Sequence, residues 1–522
     1  MENNKTENNL PSQAVQNAAK TAILMAVLLL CSKLFGFIRE TVMAAFYGTS
    51  YIVDAYVMAQ AIPTMLFAGI FTSLAIAYMP LLSEKMEQGS QKEGNLFTSR
   101  MIHILIAFSV VSSLIGLIFS DQLTAFFAKG FTGRTAFLTS SYLKISFSYI
   151  IFSSVAGILE YYLQYKGTFI PQIIVGYVQN GILIAVIVIS AHTDCIILIY
   201  GLFFGNMIRM ILMYFLARKR EYYHILHPGN YSSVLKQIMP LAIPVFIGSC
   251  GTQINVFVDK YLASDLAEGS IAALNYGNLL NTTIMTLSTS ILSTIIFPKI
   301  SQSNASGNRE SVISISRVGV TLTILISLPF ALGAIVYCNE IVQIVFERGA
   351  FDAAATSLTK GAYKYYAIGM TFMALTTLLT NVYYSLTDTR KPMIFSLAGV
   401  AVNVVVNLLL VDSMQHEGLA LGTSCAAIAN ACLLYAGLRK NHGINVILEW
   451  GKIIRIAIAS SISVGVSFLS YKGLVATIWM PRMVYLGIAV CIAIAIYILL
   501  LKFFKIEELR FLTFLLKRRK AE

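Results

Sequence analysis

Two cations and one acid near the beginning of a very apolar chain are the residues best suited to chemistry. Lys33 and Arg39 lie within an apolar helical run that contains Gly36, and Asp54 follows after a short turn. An ionisable side chain at membrane depth costs about 2.5–3.5 kcal/mol on insertion scales, so it commonly faces a partner or a cavity. A guanidinium offers phosphate a bidentate fork, and an ammonium offers it a point charge. The three residues therefore predict a site for an anionic ligand.

The spacing of these residues leaves their geometry open. Lys33 and Arg39 are six positions apart, which does not place them on one helix face. A bend at Gly36 would turn both toward a common lumen, and we expect such a bend. Asp54 would then neutralise Arg39 between ligands. The alternative is a purely structural ion pair between Arg39 and Asp54.

The composition identifies an integral membrane protein. The chain has 522 residues, of which 57% are hydrophobic and 12% charged, and its mean hydropathy is +0.73. Soluble domains carry about 25% charged residues. The net charge of +13 is compatible with nucleic-acid binding, but basic cytoplasmic loops explain it better in so apolar a chain, so we expect no nucleic-acid partner.

The hydrophobic runs predict an all-α protein with fourteen transmembrane helices, since each run is long enough to cross a bilayer. With the N-terminus inside, 26 of the 38 Lys and Arg residues fall on the inner side and 6 on the outer side. This bias supports the count and places both termini in the cytoplasm. The predicted spans are 21–46, 52–82, 101–120, 136–164, 169–191, 194–217, 238–262, 271–298, 312–337, 357–386, 392–411, 417–438, 453–471 and 482–501.

The loops are short, so the chain divides by groups of helices. The tail, KFFKIEELRFLTFLLKRRK, mixes apolar and basic residues; it is either an amphipathic segment lying on the inner leaflet or an ordinary basic stop after the last span. The predicted parts are a disordered N-terminus (1–20), a first six-helix group (21–220), a linker (221–237), a second six-helix group (238–440), two further spans (441–501) and the tail (502–522).

No enzyme is indicated. The seven cysteines are scattered singly without a CxxC pair, and the six histidines form no HExxH motif. The sequence also has no GxSxG motif and no P-loop. The cysteines are therefore interpreted as small packing residues.

Polar residues in the second half form another candidate site. Asp259 lies near the end of the seventh span, Asn403 and Asn407 share one face of the eleventh, and Thr423 is on the twelfth. Hard oxygen ligands of this kind suit a small cation such as sodium. Interhelical hydrogen bonds, worth about 0.6 kcal/mol a pair, are the competing interpretation.

Six stretches, read in order, resemble a known family. They are KLFGFIRETVMAAFYGTSYIVDAYVMAQAIP, QINVFVDKYLASDLAEGSIAALNYGNLL (253–280), FERGAFD (346–352), SLTDTRKP (385–392), GVAVNVVVNLLL (399–410) and GLALGTSCAAIANACLLYAGLRK (418–440). Together they are similar to the MurJ family of lipid II flippases, within the multidrug/oligosaccharidyl-lipid/polysaccharide exporter superfamily. The resemblance covers nearly the whole chain.

The resemblance implies two six-helix lobes forming a V, with 441–501 providing a groove for a polyprenyl tail. It implies a monomer in the bacterial plasma membrane that moves a lipid-linked peptidoglycan precursor to the outer leaflet. Its partners would be this lipid-linked oligosaccharide and membrane lipid. Arg39 and Asp54 match functional positions of the family, and Lys33 stands where the family usually has arginine. The matches to the family's sodium site are Asp259, Asn403, Asn407 and Thr423.

Some family positions differ and keep the cargo open. The run after Pro63, PTMLFAGIFTS, lacks an arginine pair and an acid that the family usually carries, and Leu279 replaces an arginine. Each lost charge-assisted contact removes about 1.5–3 kcal/mol of binding. The alternatives are therefore a flippase for another undecaprenyl-linked oligosaccharide, such as an exopolysaccharide or spore polymer, or a cation-coupled drug exporter. A non-transporting scaffold is disfavoured by the buried charges.

Overall fold

The computed structural model describes residues 10–226, 229–442, 449–477 and 479–508, and these ranges are helical almost throughout, without a strand. Two short α-helices and one 3-10 turn lie between long helices: α4 Ser120–Phe127, α11 Cys338–Phe346 and η1 Cys195–Ile197. The long helices are α1 Leu10–Tyr47, α2 Tyr51–Glu87, α3 Gln91–Ile118, α5 Gly133–Tyr165, α6 Ile170–His192, α7 Leu198–Arg218, α8 Tyr231–Ser264, α9 Ser270–Ala305, α10 Arg309–Val336, α12 Ala353–Ser385, α13 Arg390–His442, α14 Trp450–Thr477 and α15 Arg482–Phe503.

Helix α13 is two helices joined without a loop. Its backbone breaks at Gln415, which has φ 51° and ψ −133°. This conformation is unfavourable for a residue with a side chain, so the position is strained. The chain reverses its direction at this single residue. Counting the two arms of α13 separately, the described residues contain fourteen long helical segments, and each overlaps one of the fourteen predicted spans. The predicted all-α fold is confirmed.

Hydropathy alone recognises only some of these helices. Among the described residues, 8 helices are long and apolar enough to cross a membrane, or up to 9 if the bent helix α2 is counted as one span. Local caps fix several helix starts, because a polar side chain at this place accepts a first-turn N–H. Ser90 accepts from Glu93 N–H, Asn308 from Ser311 N–H, and Asp352 from Ala355 N–H.

The chain packs as two compact units. Unit 1 comprises Met1–Tyr47 and Ala55–Cys250, and unit 2 comprises Gly48–Asp54 and Gly251–Glu522. The division falls inside α8. Its first part belongs to unit 1 because Val234 and Ile238 are buried in the core of that unit. Other members of this core are Tyr78, Phe97, Leu159, Tyr162, Met213 and Tyr222.

Unit 2 includes the last two helices. Ile456 of α14 and Leu501 of α15 are buried in the same core as residues of α9, α10, α12 and α13. These partners are Ile300, Leu322, Leu379, Tyr383 and Leu434. The separate segment 441–501 of the sequence analysis is therefore part of one packed body with the second group of helices.

The boundaries differ from expectation in two further places. The boundary between units lies between Cys250 and Gly251 and not in the linker 221–237, because apolar residues of α8 continue the first core. Helix α1 begins at Leu10, inside the stretch 1–20 that composition predicts to be disordered. Alanine, glutamine and lysine in this stretch are good helix formers that extend the adjoining apolar helix toward the N-terminus. Residues 1–9 and 509–522 lie outside the described ranges, so the predicted tail is described only from 502 to 508.

Candidate functional site

Arg39 is held in a fixed place inside unit 1. Its Nη1 donates to Asn180 Oδ1 of α6 at 3.3 Å, and its Nη2 contacts the Glu40 carboxylate. The side chain is 28% exposed, so it is neither sealed in the core nor free in solvent. A guanidinium has five N–H donors, and these two contacts do not use them all. Arg39 thus keeps donors for an anion while two neighbours fix its direction.

Lys33 does not join Arg39 in the structure. Helix α1 runs without interruption through Gly36, so the expected bend is absent, and Lys33 is exposed. A Cβ added at Gly36 would lie 3.9 Å from Asn180 Oδ1. A side-chain carbon would thus fit at Gly36 in ordinary van der Waals contact, and neither a bend nor a close helix approach requires glycine at this position. Only a ligand that extends along α1 would contact both cations.

Asp54 serves a different partner from the one expected. Its Oδ2 accepts from Gly269 N–H and its Oδ1 from Ala272 N–H, both at 2.7 Å, and it is 3% exposed. These donors are first-turn groups of α9, so Asp54 caps a helix that begins 215 residues later in the chain. The carboxylate also lies where a helix dipole favours negative charge. Glu268 makes the converse contact, because its Oε1 accepts a hydrogen bond from Tyr51 N–H at 2.9 Å.

The segment Gly48–Asp54 fits into unit 2 through two glycines. Gly48 has φ +57°, and a Cβ there would lie 2.4 Å from the Ala350 carbonyl oxygen. Gly269 has φ +86°, and a Cβ there would lie 2.3 Å from the Thr49 carbonyl oxygen. Both positions require a glycine conformation and a close backbone approach. Along the chain, residues of unit 1 precede and follow this segment.

The four candidate sodium ligands are brought together in unit 2. Asn407 Nδ2 donates to Asp259 Oδ1 at 2.6 Å and to Asn403 Oδ1 at 3.0 Å. Asn403 Nδ2 lies 3.4 Å from Thr423 Oγ1. Both asparagines are fully buried. The family resemblance implied this grouping, whereas spacing alone left it open.

A fifth residue, Asn255, belongs to this cluster and escaped the sequence analysis. Its Nδ2 lies 3.5 Å from Asp259 Oδ2. With the Asn403 amide turned over, the Asn403 nitrogen donates to Asn255 Oδ1 at 2.9 Å and to Asp259 Oδ1 at 3.0 Å. The i, i+4 spacing of Asn255 and Asp259 on α8 was the signal that could have found it.

The cluster suits a small hard cation. It offers one carboxylate, three amide oxygens and one hydroxyl, and hard cations bind oxygen ligands of these kinds. The Asn407 Oδ1 atom is buried and has no hydrogen-bond partner among the described residues. A buried acceptor without a partner is costly, so a bound cation would relieve it. The donor set therefore fits sodium.

A second intramembrane ion pair lies in unit 1. Arg209 of α7 donates through Nε to Glu160 Oε1 of α5 at 2.9 Å. The sequence analysis did not select either residue. Two opposite charges within predicted spans were the available signal, but their pairing across 49 residues was not readable from spacing.

An apolar groove is formed within unit 2 by α10, α14 and α15. Its volume is about 510 Å³, and Lys502 is the one charged residue of its lining. Ligand pockets commonly measure about 300–1,000 Å³. The lining includes Pro329, Phe330, Val464, Val490, Ala493 and Ile494.

Fourteen long helices and charged groups held inside them define a polytopic membrane transporter. A solved structure described as lipid II flippase MurJ in an inward closed conformation matches with a TM-score of 0.80 and 22% identity, covering 93% of this chain and 99% of that one. An inward-facing multidrug resistance MATE family transporter of the MOP superfamily matches with a TM-score of 0.64 and 10% identity, covering 80% of this chain and 96% of that one. The fold is thus that of these exporters.

The particular family follows from the sequence. The family model described as lipid II flippase MurJ matches residues 43–504, and the chain belongs to this family. A probable lipid II flippase MurJ of Rickettsia prowazekii (strain Madrid E) is 28% identical over 437 residues, which are 82% of this chain and 85% of the relative. The lipid II flippase MurJ of Burkholderia cenocepacia is 23% identical over 442 residues, or 81% and 84% of the two chains. The predicted resemblance is confirmed.

Proposed function

We propose that this chain moves lipid II from the inner to the outer leaflet of the bacterial plasma membrane by alternating access, as a monomer with both termini in the cytoplasm. Family membership over residues 43–504 supports the cargo class. The observation that carries the proposal is Arg39, a half-buried cation oriented by Asn180 and Glu40 inside a membrane-spanning unit. Its fork matches the oxygens of a diphosphate, and Lys33 adds a second charge further along α1.

The direct test of this function is complementation. Expression of the chain should restore growth to bacteria depleted of their own lipid II flippase. Purified protein in vesicles should also move fluorescent lipid II between leaflets. Rescue failure together with an inactive reconstituted protein would remove the proposal.

The apolar groove is the proposed place of the polyprenyl tail. It lies on the same unit as the last two helices and exposes almost only apolar atoms to a ligand. The tail would pass from the bilayer hydrocarbon to an apolar lining, so the groove would hold it by van der Waals packing and not by transfer out of water.

Filling the groove should block cargo with a long tail. We expect Ala493→Trp to lower lipid II transport at least about tenfold, which corresponds to about 1.4 kcal/mol of lost binding. A water-soluble analogue with a truncated tail should be bound as well by the variant as by the wild type. Ala495→Trp is the matched control, because Ala495 is exposed on the same helix and does not line the groove. Equal transport by both variants would contradict a role of the groove.

The oxygen cluster around Asp259 is the proposed coupling site. Sodium would be held by Asp259, Asn255, Asn403, Asn407 and Thr423, and it would supply the positive charge that the buried carboxylate lacks. A membrane potential would contribute about 2.3 kcal/mol per charge per 100 mV to the cycle.

Removing the carboxylate should abolish sodium-linked stability. The wild type should unfold at a higher temperature in NaCl than in N-methylglucamine chloride, with a stabilisation of about 1.4 kcal/mol at ten times the dissociation constant. Asp259→Asn should lose this difference, whereas Asp412→Asn, which alters an exposed carboxylate of the same unit, should keep it. A sodium shift that persists in Asp259→Asn refutes the site.

A second cargo is favoured by one observation. Leu279 and the run after Pro63 lack cations that the family usually carries. A different undecaprenyl-linked oligosaccharide would need fewer of these contacts. Competition of lipid II transport by other undecaprenyl diphosphate sugars distinguishes the two cargoes.

A further inference from the structure

Two histidines of unit 1 face each other outside the candidate site around Arg39. His103 lies on α3, and His224 lies in the segment between α7 and α8. Their Nε2 atoms are 3.0 Å apart, and the rings meet at an interplanar angle of 77°. Neither ring is fully buried. The metal-binding nitrogens of both side chains therefore converge on one point that solvent can reach.

The other nitrogen of each ring is held by a tyrosine hydroxyl. His103 Nδ1 lies 3.0 Å from Tyr231 Oη, and His224 Nδ1 lies 2.9 Å from Tyr222 Oη. Metal-ligating histidines commonly make such a second hydrogen bond, which fixes the tautomer and the ring orientation. In the tautomer in which both Nδ1–H groups donate to the tyrosine hydroxyls, both Nε2 lone pairs point toward the position of a metal.

The segment that carries His224 is anchored on the same helix as His103. Tyr222 is 2% exposed, and its hydroxyl lies 3.4 Å from Ser99 Oγ. Ile225 N–H donates to Ser99 Oγ at 3.0 Å. These contacts hold the two imidazoles at a fixed separation, so little ordering remains to be done when an ion binds.

We propose that His103 and His224 form a two-imidazole site for a divalent transition-metal ion such as Zn²⁺, Ni²⁺ or Co²⁺. Without an ion, one Nε2–H donates to the other Nε2, and the Nδ1 of the donating ring accepts from its tyrosine hydroxyl. When the ion binds, this proton moves to the Nδ1 of the same ring, which then donates to the tyrosine, so that no proton is lost. With Zn–N bonds of about 2.0–2.1 Å, the nitrogens must separate by only a few tenths of an ångström. Imidazole is the ligand type that these ions prefer.

Water completes the coordination. No group of three His, Cys, Asp or Glu residues that could hold a metal occurs in the described part of the chain. The site is therefore weaker than a four-ligand structural zinc site. An occupied site ties the segment between α7 and α8 to α3.

The test is metal binding by the purified full chain carrying no histidine tag. Titration with Zn²⁺ should show one equivalent bound by calorimetry, and Co²⁺ should give visible d–d absorption that a chelator removes. His103→Gln and His224→Gln should each weaken Zn²⁺ binding at least about tenfold. His192→Gln is the control, since His192 packs on Phe46 elsewhere in unit 1.

A finer variant separates a built site from incidental binding. Tyr231→Phe keeps both imidazoles and removes one hydroxyl, and it should weaken binding about tenfold. Folding of every variant is checked by its thermal transition without metal. The proposal is overturned if the folded wild type binds no Zn²⁺, or if the double variant His103→Gln/His224→Gln binds it equally well.

Discussion

Replacing Arg39 by alanine is expected to abolish rescue of a flippase-depleted strain while the protein still folds and reaches the membrane. The variant loses a charge-assisted contact worth about 1.5–3 kcal/mol, which is a tenfold or larger loss of cargo binding. Arg39→Lys keeps the charge without the fork and should retain part of the activity. Complementation and a vesicle assay with fluorescent lipid II measure both effects.

Two further variants distinguish the loss of the Arg39 contact with the cargo from a general loss of positive charge. Arg134→Ala removes an exposed arginine of the same unit and should transport normally. Asn180→Ala removes the acceptor that orients Arg39 Nη1, so it should raise the apparent KM more than it lowers the maximal rate. Full rescue by Arg39→Ala would exclude this residue from the transport path.

Asp54→Ala should cause the second large loss. The substitution removes the acceptors of two buried N–H groups at the start of α9, and each unsatisfied donor costs about 1–3 kcal/mol. Hydrogen exchange of the peptide that covers Gly269 and Ala272 should accelerate, and complementation should fail. Asp54→Asn retains one acceptor oxygen and should have an intermediate effect.

The control for Asp54 is an ordinary helix cap in the same unit. Asp352→Ala removes the local acceptor of Ala355 N–H, which costs about 0.5–2 kcal/mol. If loss of a cap were the whole effect, the two variants would rescue growth to similar degrees. We expect Asp352→Ala to rescue and Asp54→Ala to fail, because Asp54 also holds the segment Gly48–Asp54 in unit 2.

The helices were predictable from the sequence because length and hydropathy are local properties. The fourteen predicted spans overlap the fourteen long helical segments of the described residues. The shared face of Asn403 and Asn407 was equally readable, since it depends on four residues of one helix. The division of α8 between the two units was not predictable from the sequence, because it depends on which hydrophobic core its side chains enter.

The partners of the charged groups required the tertiary structure. Asp54 lies near Arg39 in the sequence, yet it accepts hydrogen bonds from backbone groups that lie more than 200 residues further along the chain. The residue types do not indicate which backbone N–H groups a side chain will contact, so no sequence pattern predicts such a pair. Likewise, Gly36 suggested a hinge, whereas α1 continues through this position without a bend.

The loop-free reversal at Gln415 has a consequence for ion release. Asn403 and Asn407 lie on one arm of α13 and Thr423 on the other, and the tight corner between the arms gives this hairpin no slack. Three of the five oxygen donors therefore keep fixed positions relative to one another. Asp259 and Asn255 lie instead on α8, outside this hairpin. If a cation binds here as we propose, we expect its release to require a movement of α8 relative to the hairpin.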